Sequence, residues 1–128
     1  MQGPLNQEKV NDAAKLIMDR LIARALARDA SLVDKAKVSL TKMAVRFTDR
    51  SFIGEWELIL SLPLDRLRAL LTSRSAQARR LRLSSPFVTA EGVDFTDIAL
   101  RRRITQAAKR LVARDSQVGQ VTTRGSVT

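Results

Sequence analysis

A chain of 128 residues with 23 Lys+Arg against 13 Asp+Glu, a formal net charge of +10, is long enough to build one hydrophobic core without metals or disulfides. It contains no Cys, His or Tyr, which removes disulfide bridges, Cys/His zinc sites and histidine or tyrosine catalysis together. No P-loop, paired-carboxylate or glycine-rich phosphate motif takes their place, so the expectation is a protein that is not an enzyme, with no catalytic residues, no metal and no cofactor.

The predicted elements are helical throughout. From about Leu5 to Arg28, Val10, Ala14, Ile17, Leu21 and Ala25 recur at spacings of three and four, with Ala13, Leu16, Ile22 and Leu26 widening the stripe, which is the pattern of a long amphipathic helix. A second helix starts at about Ser31, with Leu32, Ala36, Leu40, Met43 and Phe47 inward and Ser31 with Asp34 as a capping signal. These two helices are expected to run antiparallel across a tight turn. Ser51 can cap a short helix holding Phe52, Ile53, Trp56, Ile59 and Leu60. The lone Trp56 reads as core, given the area an indole buries.

Pro63 falls where a helix can begin, and PLDRLRALL (63–71) carries Leu64, Leu67 and Leu71 on one face. TSRS (72–75) interrupts it, and Ser75 can cap AQARRLRL (76–83), with Ala78 and Leu81 inward and Gln77, Arg79, Arg80 and Arg82 on the free face. Pro86 stops that helix and Phe87 returns to the core. Residues 88–94 form a loop around Gly92 with room for a brief extended piece. Thr96 is the N-cap candidate for a last helix reaching Arg114, with Ile98, Leu100, Ile104, Ala107, Ala108 and Leu111 inward. Glu91, Asp94 and Asp97 lack the spacing of a calcium loop and suit the positive end of that helix. The fold class is therefore all-α: a single compact bundle of about five to six helices over residues 1–114, followed by a flexible polar tail over 115–128.

Apolar runs such as FIGEWELILSLPL (52–64) break well before the ~18 residues a membrane span needs, and the N-terminus has neither the basic nor the apolar region of a secretory signal. No membrane association and a cytoplasmic location are expected.

Charge is distributed unevenly. Residues 1–63 hold 10 basic and 8 acidic side chains, whereas 64–114 hold 12 basic and 4 acidic. All but one of those 12 are arginines, whose planar fork pairs bidentately with phosphate or a guanine edge. Within this half, LDRLRALLTSRSAQARRLRL (64–83) is a short helix, a polar turn and a second short helix. The layout resembles a helix-turn-helix, with Leu67, Leu71, Ala78 and Leu81 at the packing positions. The resemblance implies a second helix that enters the major groove. Arg68 stands where that motif has a small residue, Thr72 where it has glycine, and Ser73 where it is apolar. An ordinary solvated helix face is the competing reading. A second cluster, RRRITQAAKRLVAR (101–114), puts Arg102, Arg103, Lys109, Arg110 and Arg114 on the polar side of the last helix.

Two arginine faces in one half of a small domain favour nucleic acid, DNA over RNA, in a regulatory, transcription-controlling role. The candidate contacts are Arg74, Gln77, Arg79, Arg80, Arg82, Arg102, Arg103, Lys109 and Arg110, with the N-terminal helices as support or as a homodimer interface. The alternative is a protein-interaction module, of adaptor, inhibitor or antitoxin type, whose basic face docks an acidic protein partner. A cationic helix lying on a membrane is disfavoured, because the apolar face of 98–111 is Ala-rich and needed by the core.

Overall fold

A computed structural model of the chain describes residues 6–46, 51–93 and 95–127, with side chains described up to 115 in the last helix. Six helices follow one another: α1 (Gln7–Arg28), α2 (Leu32–Arg46), α3 (Ser51–Leu60), α4 (Leu64–Leu71), α5 (Ala76–Arg82) and α6 (Ile98–Val127). Among the described residues there is no strand; the expected extended piece in 88–93 is a run of turns. The architecture is an all-α bundle.

Local chemistry sets the boundaries. The Asn6 side chain accepts from the backbone N–H groups of Glu8 and Lys9, at 2.9 and 3.3 Å, satisfying two of the orphan donors at the start of α1. At its other end the Asp29 carboxylate accepts from the Ser31 N–H at 3.0 Å. The capping chemistry thus comes from Asp29 rather than from Ser31 with Asp34, and the hydrogen bonds from Ser31 hold the Asp29 carboxyl below its ordinary range. Ser75 caps α5 as expected, its Oγ accepting from Ala78 N–H at 3.1 Å. The N-terminus of α6 is capped by Asp97, one residue beyond Thr96: Asp97 Oδ1 accepts from Ala99 N–H at 2.9 Å. Glu91 is exposed, and Asp94 lies outside the described residues.

The main core gathers Ile22 and Leu26 of α1, Leu32, Ala36 and Leu40 of α2, Ile53, Trp56, Ile59 and Leu60 of α3, Leu67 and Leu71 of α4, Leu81 of α5, and Phe87. Trp56 and Phe87 meet edge to face at its centre, with ring centroids 6.3 Å apart and planes at 73°. The indole N–H donates to Ser84 Oγ at 3.2 Å, so its one polar atom is satisfied. A second, smaller cluster joins the first half of α1 to α6 through Val10, Ala13, Ala108 and Val112.

These two clusters explain why α1 and α2 do not form the expected hairpin. The buried residues of α1 drift around the helix, so that its first half faces α6 and its second half reaches the main core; its chief neighbours are α6 and α4, while α2 packs chiefly on α3. Two further expectations change. Ile98 is exposed rather than inward, because six residues before Ile104 is about 120° away from the Ile104–Ala108–Val112 row. The backbone of α6 does not stop at Arg114 but continues as helix to Val127, through the segment expected to be a flexible polar tail; the side chains from 116 on lie outside the described ones.

Candidate nucleic-acid interface

The helix-turn-helix-like pair packs at the positions its spacing names: Leu67, Leu71, Ala78 and Leu81 are all buried. Its departures have structural uses. Arg68, too large for close helix contact, extends to α1 and donates from Nε to the Ala23 carbonyl at 2.7 Å. Ser73 accepts from the Ser75 N–H through its hydroxyl, at 3.1 Å, and from Arg82 through its carbonyl. Thr72 closes α4 with φ −96°, a conformation that needs no glycine.

The four arginines of residues 74–82 each meet a carboxylate from another element. Arg79 pairs with Asp12 of α1 at 2.7 Å, and Arg80 forks onto Glu55 of α3 with bonds of 2.9 and 2.7 Å. Arg74 stands 3.6 Å from Asp115 of α6, too long for a hydrogen bond. The Arg80 fork holds Glu55 below the usual carboxylate range. Gln77 is exposed. Arg79 and Arg80 also keep more than half of their side-chain surface in water, so their pairs are of the weak, screened kind.

Arg82 is different, and its assignment to the free face is corrected. It is buried, with its Nε 3.0 Å from Asp19 of α1 and its Nη2 donating to the carbonyls of Leu71, at 2.9 Å, and Ser73. Arg82 lies four residues after Ala78 and one after Leu81, which is the inward face of α5. Asp19, buried at the same depth, has its carboxyl pushed up to about 6, because the cost of removing it from water exceeds the attraction of Arg82. This arginine clamps the end of α4, the turn and α5 onto α1.

The cations of α6 stand apart. Arg101, Arg102, Arg103, Lys109, Arg110 and Arg114 are exposed, and none forms an ion pair with another described residue. Two rows run along the helix opposite the buried Ile104, Ala108 and Val112: Arg102, Gln106 and Lys109, and beside them Arg103, Arg110 and Arg114. From Arg102 to Arg114 the rows span ~18 Å, about the axial length of five base pairs. Arg101, which sequence reasoning left out, falls outside these rows. Asp115, four residues after Leu111, lies on the inward side of the helix, away from the basic rows.

The structure thus divides the nine candidate residues. Arg102, Arg103, Lys109 and Arg110 share one face without an ion pair to any described residue; Arg79 and Arg80 are solvent-accessible but hydrogen-bonded to acids; Arg74 is exposed, near Asp115 without a hydrogen bond; Gln77 is exposed; Arg82 is structural. No protein-family model, curated protein or solved structure matches the chain. Among the described residues no group of His, Cys, Asp and Glu is arranged to hold a metal ion, and no helix is long and apolar enough to cross a membrane.

Proposed function

We propose that the protein binds duplex nucleic acid, DNA first among the candidates, by laying the polar face of α6 against phosphates, in a regulatory role. The observation that carries this reading is the run of exposed cations along one side of α6 that form no ion pair among the described residues, in a bundle whose Arg79, Arg80 and Arg82 are met by its own carboxylates. No aromatic side chain is exposed among the described residues: Trp56 and Phe87 are buried, Phe52 and Phe95 half-buried. Single-strand binders usually stack bases on exposed aromatic rings, so backbone contact with a duplex suits this surface better. Contacts to phosphate position a protein without reading sequence, and a weak sequence preference follows.

The test is fluorescence anisotropy of a labelled duplex titrated with protein at several salt concentrations. Neutralising about four phosphates gives a log–log salt slope near −3.6, a loss of about two orders of magnitude in affinity for a fourfold rise in salt. Changing Arg102, Arg103, Lys109 and Arg110 together to Ala abolishes most of the binding, whereas Arg79→Ala reduces it far less. A salt-independent affinity, or a quadruple variant that binds like the parent, refutes the proposal.

A further inference from the structure

A groove of about 400 Å³ lies between the first half of α1, the turn and helix around residues 74–82, and the inward side of α6. That volume is within the range of small-molecule sites. Its floor is apolar, made by Ala13 and Leu16 of α1 and Leu111 and Val112 of α6. Its rim is charged: Lys9, Arg74 and Arg79 face Asp12 and Asp115, with Arg82 behind them.

The pairing at this rim is incomplete. Asp12 is taken by Arg79 at 2.7 Å and Arg82 is taken by Asp19, but Arg74 is 3.6 Å from Asp115 without a hydrogen bond, and Lys9 has no ion-pair partner among the described residues. Two cations therefore stand at the mouth of an apolar groove with their strong hydrogen-bonding capacity unspent. A neutral ligand would leave them so, and an ammonium would be repelled by the surplus. An inorganic anion would satisfy the cations and waste the floor. We propose that this groove is a binding site for a small amphipathic organic anion, its carboxylate or phosphate held by Lys9 and Arg74 and its apolar body lying on Leu16, Leu111 and Val112. At ~30 Å³ per water-sized group, the groove accommodates about a dozen non-hydrogen atoms. The site uses the inward side of α6 and is independent of the outward basic rows.

Octanoate is a suitable probe, with 1-octanol and inorganic phosphate as its uncharged and headgroup-only counterparts. Titration of the full chain with octanoate, followed by calorimetry and by two-dimensional amide NMR, is expected to show saturable one-to-one binding with shifts centred on Leu16, Leu111 and Val112. The two counterparts bind at least about tenfold more weakly, and Lys9→Ala with Arg74→Ala lowers octanoate affinity by about tenfold or more, as expected for loss of charge-assisted hydrogen bonds. Both side chains are exposed, so the double variant keeps the fold; the comparison of the three probes on the unmodified chain is in any case independent of it. Unsaturable octanoate binding, equal binding of 1-octanol, or a double variant with undiminished affinity overturns the proposal.

Discussion

Replacing Arg82 by Met separates a structural arginine from a nucleic-acid contact. Its side chain and that of Asp19 are only 5% and 4% exposed, and the substitution leaves a buried carboxylate without its cation and the carbonyls of Leu71 and Ser73 without a donor. Breaking one partner of a buried pair costs about 3–5 kcal/mol, a large part of the ~5–15 kcal/mol available to a domain of this kind. Arg82 also exerts the two influences that pull the Asp19 carboxyl down, so without it Asp19 titrates even higher than about 6 and takes up a proton to escape its unpaired state. The loss in the variant is therefore larger near pH 8 than near pH 6, where protonation relieves part of it. Urea unfolding followed by far-ultraviolet circular dichroism measures both effects. Adding Asp19→Leu to Arg82→Met removes the stranded charge and restores part of the stability; recovery stays incomplete because each orphaned carbonyl still costs about 1–3 kcal/mol. Arg79→Met is the control, since its partly exposed pair with Asp12 is worth less than about 1 kcal/mol. If Arg82→Met is no more destabilising than Arg79→Met, the clamp assigned to Arg82 is wrong.

Three other outcomes follow from the same structure. The folded chain holds a proton on Asp19 up to about pH 6, where the unfolded chain has released it near 3.8. This contribution is therefore complete below about pH 4 and lost as pH rises through 6, a decline of at most about 3 kcal/mol; Asp19→Asn flattens it, and a parent urea midpoint that rises over this window relative to Asp19→Asn contradicts the assignment. Phe87→Ala empties the space against Trp56 and costs about 3–5 kcal/mol, with a red shift of tryptophan emission as water reaches the indole; unchanged emission and stability count against that core. Gly92 has φ +90°, and a Cβ built there lies 3.3 Å from Leu32 Cδ2, so Gly92→Ala lowers stability by about 1–2 kcal/mol in thermal melts, whereas a neutral result denies the strain.

Much of the fold is legible in the amino-acid sequence because helix stripes and caps are local. The buried Leu32, Ala36 and Leu40 of α2, whose expected Phe47 lies outside the described residues, the buried rows of α3 and α4, the Ser75 cap, and the stop at Pro86 with Phe87 returning to the core all follow from spacing and side-chain chemistry. Pairing between helices is not local. The stripe of α1 was readable, but its drift toward two different partners was not, since Val10, Ala13 and Ala14 are too small to announce that a distant Ala- and Val-rich helix will cover them. Arg82 is an instructive failure: its charge suggested a free face, yet its place four residues after Ala78 put it on the apolar stripe. Asp19 carries the same mark, three residues from both Leu16 and Ile22. A charged residue on each of two otherwise apolar stripes is the signal of a buried pair, and it was present in the sequence.

Charge counted along a chain differs from charge counted in space for the same reason. Residues 64–114 are strongly basic by tally, but Asp12, Asp19 and Glu55, three of the four carboxylates that engage residues 74–82, come from the nearly neutral first half. Folding therefore transfers negative charge onto the segment with the best helix-turn-helix spacing and leaves the cations of α6, which has no motif, without an ion-pair partner among the described residues. A phosphate approaching α5 must compete with carboxylates already in place at 2.7 Å, whereas one approaching Arg102 or Arg110 displaces only water and counterions. This difference moves the expected interface from the helix that resembles a reader to the helix that does not.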